Sequence, residues 1–269
     1  MSRAARDAAY NNVAAVAESA ALNRARAEAS AAFRAAHGGA LDLPYGPGER
    51  NKWDLYPGVD AGAPCLVVIH GGYWQMNGRE AFACLAEGVA AHGWSVALPG
   101  YTLAPDASLA NIAGEIRMAL DWLAGHGARH GIAGPIILSG WSAGAHLAAL
   151  ALDHPAVAAG LAVSGIYELG PLRDTYINEK LKLSDEEAEN LSPLRLPVIA
   201  KPLTIAYGSR EVPALIGDSR ALHARRAQVH APGALVPVAG ADHFTILLAL
   251  RSPTGILVRQ ALALVPWRS

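Results

Sequence analysis

The chain has few cysteines, little charge and no long apolar runs. Only Cys65 and Cys84 occur in 269 residues. One falls in an expected strand and the other in an expected helix, so a disulfide framework is not expected and a reducing cytoplasm fits. Lys and Arg number 22 against 23 Asp and Glu, a formal net charge of −1, which gives no basis for nucleic acid or an anionic membrane surface as a partner. No stretch approaches the roughly 18 successive apolar residues of a membrane span. Ser2 to Ala36 lacks a compact apolar core with a cleavage site, so no secretory signal is read. Asp7, Glu18 and Glu28 argue against a mitochondrial presequence. Neither G-x-x-x-x-G-K-[ST] nor H-E-x-x-H occurs, and His126 and His130 stand four apart without the accompanying glutamate. Neither a phosphate loop, a metal site nor a cofactor is therefore expected.

Hydrophobic residues make up 52% of the chain and charged residues 17%, the balance of a well-buried globular protein. The length fits a single α/β domain over 1–269, with a helical lead-in over 1–36. Short apolar runs predict strands at 51–56, 65–69, 94–98, around Ile136, and at 159–164, 203–207 and 234–238. Helices are expected between them, over 79–92, 109–126, 143–152 and 218–230 and after Phe244. This alternation implies a mainly parallel twisted sheet with helices on both faces. Residues 167–196 interrupt it with a polar, charged stretch, in which Ser184-Asp185-Glu186-Glu187 starts a short helix with a capping box. Such an insertion reads as a small cap or lid over the carboxyl ends of the strands. The alternative is an ordinary surface connection.

Gly140-Trp141-Ser142-Ala143-Gly144 lies between an apolar strand and an Ala/Leu-rich helical run. Strand, G-x-S-x-G and helix together form a nucleophile elbow, a sharp turn that holds the serine hydroxyl clear of the sheet. The hydroxyl needs a base. Among the histidines downstream, His146 is one helical turn on and reads as a packing or orienting group. His154 is too far along the helix, and His223 and His230 suit a surface face. His243, in a loop after the last expected strand, is the candidate base. For the acid, Glu211 follows the 203–207 strand at the right place. Asp218 competes, though helix N-capping would explain it, and Asp242 points the wrong way to orient its neighbour's ring. His70-Gly71-Gly72-Tyr73-Trp74 follows the 65–69 strand, where glycines let backbone N–H groups face a developing oxyanion. Gly71, Gly72 and Ala143 are the expected donors, with His70 bracing the loop.

Taken together, the elbow, the H-G-G-x-W loop and Asp242-His243-Phe244 resemble the α/β-hydrolase fold within its hormone-sensitive-lipase-like group. A closer resemblance, to the kynurenine formamidase (arylformamidase) family, spans about residues 10 to 250. It is carried by Leu41 to Gly48, Trp53-Asp54-Leu55-Tyr56, His70 to Gln75, Tyr101-Thr102-Leu103-Ala104-Pro105, Gly144-Ala145-His146-Leu147-Ala148 and Leu191-Ser192-Pro193-Leu194. That family implies metal-free hydrolysis of N-formylkynurenine to kynurenine and formate. Matched by position, Ser142 is the nucleophile, Glu211 the acid and His243 the base. Glu211 departs from the Asp often found in the family's acid loop. Tyr73 and Trp74 are the candidate contacts to an aromatic substrate. The expected partner is a small-molecule acyl substrate, with neither nucleic acid nor a membrane, and a homo-oligomer remains open. The rival readings are a carboxylesterase on small acyl esters and a hydrolase-fold binding protein without catalysis.

Overall fold

Cys65-Leu66-Val67-Val68-Ile69 contains no charged or amide side chain, and in the computed structural model all five residues are buried as strand β3 (Cys65–Ile69). Alternate residues enter different cores. Cys65, Val67 and Ile69 join the helices Leu109–His126, Ala143–Leu150 and Pro213–Gln228 on one face. Leu66 and Val68 join Ser19–Ala36 and Ile256–Ala263 on the other. Burial on both faces is what makes a strand read as a continuous apolar run.

The structure describes residues 2–265, so Met1 and residues 266–269 of the expected domain lie outside it. Strands β1 (Ala40–Pro44), β2 (Lys52–Tyr56), β3, β4 (Ser95–Pro99), β5 (Ile136–Trp141), β6 (Val157–Val163), β7 (Leu203–Gly208) and β8 (Leu235–Val238) form one sheet. Its order is β1-β2-β4-β3-β5-β6-β7-β8. Strands β3 to β8 pair in parallel, and β1 and β2 add an antiparallel margin. This is the expected sheet covered by helices on both faces.

Some local expectations are corrected. Strand β1 was not anticipated; it is an edge strand of intermediate and exposed residues and lacks the apolar run of its buried neighbours. The helix expected over 79–92 is a 3-10 segment, Arg79–Ala86, followed by a short α-helix, Glu87–Ala90. The helix expected from 218 begins at Pro213, because proline's fixed φ suits the first helical turn and its missing N–H costs nothing there. The elbow helix ends at Leu150, two residues early. Among the described residues no single helix is long and apolar enough to cross a membrane.

Residues 167–196 leave the carboxyl end of β6 and fold into the short helices Gly170–Asp174, Asn178–Leu181 and Asp185–Asn190, the last with the Ser184/Glu187 capping box. Leu169, Leu172, Ile177, Leu181 and Leu183 bury this segment into the main core. The lead-in helix Arg3–Ala9 lies against it. Asp7 accepts the Tyr176 N–H at 2.8 Å, and Arg3 pairs with Glu179 at 2.6 Å.

Candidate active site

The turn after β5 is tight for steric reasons. A Cβ on Gly140 would collide with the backbone of Gly144, and one on Gly144 with the backbone of Ile69 and His70. Ser142 takes φ 58 and ψ −120, a conformation that costs a non-glycine residue free energy and is held by its surroundings. The Ser142 N–H donates to the Val163 carbonyl at 2.8 Å, and the Ser142 carbonyl accepts from Ala145 and His146. The hydroxyl therefore projects at the carboxyl edge of the sheet, beside the first turn of the elbow helix, with only 2% of the residue exposed.

His243 Nε2 lies 3.1 Å from Ser142 Oγ, and His243 Nδ1 lies 2.9 Å from Glu211 Oε2. A carboxylate can only accept, so Nδ1 carries the proton and Nε2 turns its lone pair to the serine hydroxyl. The other Glu211 oxygen, Oε1, accepts from Ser164 Oγ at 2.6 Å and from the Gly208 N–H at 2.6 Å. Glu211 and His243 are 8% and 3% exposed, so the whole array is shielded from solvent. Such an array can activate a hydroxyl for attack on a carbonyl.

Asp218 does not join this array. It sits inside the helix Pro213–Gln228, so the N-capping explanation fails as well. Its carboxylate accepts the N–H groups of Tyr167 and Glu168, at 2.7 and 3.1 Å, and so fastens the root of the 167–196 segment. Burial pushes its pKa up to about 6 despite those two bonds.

The 70–74 loop lies across from Ser142. The His70 ring is stacked 4.2 Å from Tyr101, and its Nδ1–H donates to the Gly71 carbonyl at 3.0 Å. Burial drives its pKa down to about 3, so it is a neutral brace. The Asn77 amide also holds the Gly71 carbonyl, at 3.0 Å. With that carbonyl engaged on one side, the N–H groups of Gly71 and Gly72 make no hydrogen bond among the described residues. Ala143, the first residue of its helix, likewise has no intrahelical acceptor for its N–H. Gly72 has φ +123, open to glycine and strained for other residues. An added Cβ on Gly71 would stand 3.0 Å from Ser142 Cβ.

The two aromatic residues of this loop part company. The Tyr73 hydroxyl donates to the Tyr10 carbonyl and accepts from Asn12 Nδ2 at 3.1 Å. Trp74 has no exposed surface and packs edge-on to His146 at 5.0 Å. It braces the loop against the elbow helix through that contact. His146 is also buried, which lowers its pKa to about 4. As a neutral ring it donates Nε2–H to the Leu191 carbonyl at 2.7 Å, tying the elbow helix to the 167–196 segment.

Four contributors went unread in the sequence: Ser164, Trp141, whose indole N–H donates to the His243 carbonyl, and the lead-in residues Tyr10 and Asn12. A polar residue closing the apolar β6 run was the available signal for Ser164. Nothing local marks Asn12, whose partner is 61 residues away.

Comparison with known proteins finds relatives along most of the chain. The BD-FAE family matches residues 54–155. A kynurenine formamidase of Danio rerio is 28% identical over 241 residues, covering 84% of this chain and 81% of that protein. Esterase LipQ of Mycobacterium tuberculosis is 36% identical over 121 residues, covering 41% of this chain and 28% of that protein. Among solved structures, a proposed thioesterase of Silicibacter sp. tm1040 superposes with a TM-score of 0.86 at 30% identity, covering 95% of this chain and 98% of that one.

Proposed function

The chain belongs to the α/β-hydrolases of the kynurenine formamidase and hormone-sensitive-lipase-like type, and on that premise we propose that it is a metal-independent serine hydrolase that cleaves an aryl formamide such as N-formylkynurenine. The observation that carries the chemistry is the unbroken line Glu211–His243–Ser142, at 2.9 and 3.1 Å. The substrate class rests on the kynurenine formamidase relatives. A formyl group offers only a hydrogen on its acyl side, which suits a nucleophile with 2% exposure.

In this reading His243 Nε2 takes the Ser142 proton as Oγ bonds to the formyl carbon, while Glu211 stabilises the imidazolium. The oxyanion is held by the N–H groups of Gly71, Gly72 and Ala143. The C–N bond then breaks as His243 returns its proton to the leaving aryl amine. Water, deprotonated by the same ring, releases formate and regenerates the serine. Residues 167–196 act as a small cap over this site, closed by the lead-in helix.

A carboxylesterase acting on small acyl esters would use the same groups, and the LipQ relationship favours keeping it as the second reading. The ratio of kcat/KM for N-formylkynurenine to that for a p-nitrophenyl ester series decides between them. Preference for the formamide is expected; turnover of esters alone would leave the esterase. A fluorophosphonate should label Ser142 and fail to label Ser142→Ala. Failure to label the unaltered enzyme would overturn the serine mechanism.

A further inference from the structure

We propose that Trp141, the residue before the nucleophile, is a positioning residue for the base. It sets the place of His243 by holding that residue's backbone. This rests on the Ser142–His243 mechanism above.

Trp141 closes β5 and is 4% exposed. Its indole Nε1–H donates to the His243 carbonyl at 2.8 Å. The indole ring lies 4.8 Å from the His243 ring and 5.9 Å from Phe244. Its remaining surroundings keep it from moving. Phe82 packs at 5.8 Å, and the Arg26 guanidinium lies over both rings, 4.1 Å from Phe82 and 5.5 Å from Trp141. Arg26 is itself anchored, donating Nε–H to the Ala81 carbonyl at 3.1 Å.

His243 has need of such a hold. It follows β8, a four-residue strand paired only with β7, through a loop whose Gly240 has φ +72. Within that loop the Asp242 carboxylate accepts the N–H groups of Phe244 and Thr245, each at 2.9 Å. Those bonds shape the turn, and the Arg210 N–H, just past β7, donates to the Ala241 carbonyl at 2.9 Å, a tie that stops two residues short of His243 itself. Glu211 and Ser142 engage the two ring nitrogens, but neither bond holds the backbone from which the ring hangs. The Trp141 bond holds that backbone directly, from the strand that carries Ser142. Nucleophile and base are thus referred to one dipeptide, and displacement of the end of β5 carries both. The same indole abuts the oxyanion loop, since a Cβ on Gly71 would meet Trp141 Cε3 at 2.7 Å.

Replacing Trp141 by β-(3-benzothienyl)alanine exchanges the N–H for sulfur in a ring of the same shape, so it tests the hydrogen bond without emptying the core. Trp141→Phe is the simpler companion. Either change should lower kcat by about 10- to 100-fold, the scale of a misplaced catalytic group, with KM within about threefold. The same replacement in a His243→Ala enzyme should change the residual rate by less than about twofold, because residues acting through one another are not additive. Full activity of the benzothienyl enzyme would overturn the proposal. So would an equal loss in the His243→Ala background, which would show that Trp141 acts elsewhere. An undiminished His243→Ala enzyme would instead sink the mechanism on which the proposal rests, and the proposal with it.

Discussion

Ser164 donates its hydroxyl hydrogen to Glu211 Oε1 at 2.6 Å, and the Gly208 N–H donates to the same oxygen at the same distance. Two donors on Oε1 leave Oε2 to receive the His243 Nδ1–H. The orientation of the carboxylate, and through it the tautomer of the imidazole, is set by groups that never approach a substrate.

That arrangement makes Glu211→Gln sharply informative. The amide oxygen must take the Oε1 position to satisfy its two donors, so the NH2 group faces Nδ1. His243 then holds its proton on Nε2 and cannot accept one from Ser142. The loss in kcat should be about 10³- to 10⁴-fold with little change in KM. Asp218→Asn should leave kcat within a few-fold. Steady-state kinetics of the two variants would show it, and the reverse ranking would move the acid to Asp218.

Gly71→Ala should also be damaging, though less so, without touching a side chain of the array. The new Cβ would stand 2.6 Å from the Trp141 carbonyl and 3.0 Å from Ser142 Cβ, so the loop has to retreat and take its N–H groups with it. Loss of one oxyanion donor costs about 3 kcal/mol, or about 100-fold in kcat/KM. The rate of fluorophosphonate inactivation should fall in parallel. A variant with normal kcat/KM would remove Gly71 from the oxyanion site.

The central strands were legible because burial on both faces leaves no polar residue in Cys65–Ile69. Ser142 was legible because it follows such a run at a turn, and His243 because it follows the last apolar run, the half-buried edge strand β8. Strand β1 was not, since an edge strand keeps exposed positions. The helix was expected from Asp218, yet it begins at Pro213 and carries Gly217 inside it with open space around it; a surface helix tolerates glycine at a cost of about 1 kcal/mol. The reach of Asn12 to Tyr73 depends on where the lead-in docks, which no local pattern encodes.

His146 should make the fold sensitive to acid. Its pKa is about 4 in the native state against 6.5 for the free ring, so below pH 6.5 the unfolded chain takes up a proton that the native state refuses. Stability from this source is complete above pH 6.5 and falls as the pH drops toward 4, by up to about 1.4 kcal/mol per pH unit. Gln at 146 keeps an N–H for Leu191 and does not titrate. Between pH 7.5 and 4.5 the melting temperature of His146→Gln should therefore fall less than that of the unaltered protein. Equal falls would show that the ring is not kept neutral.

Tyr73→Phe should loosen the lead-in. It strips a partner from the Tyr10 carbonyl and from the Asn12 amide, which is 4% exposed. Unsatisfied buried groups cost about 1–3 kcal/mol each. Faster amide exchange over residues 3–16, with the central strands unchanged, is the expected result. Unchanged protection there would mean the lead-in is held by other contacts.

The nucleophile sits on a central strand, whereas the base hangs from β8 at the margin of the sheet. Protein segments open locally with free energies far below that of global unfolding, loops and termini before the core strands. The working lifetime of the enzyme is therefore set at its periphery: mild denaturant or warming that opens the 239–243 loop has only the Trp141 tie and the ring contacts to break before His243 parts from Ser142, while the interior still scatters, absorbs and sediments as a native protein.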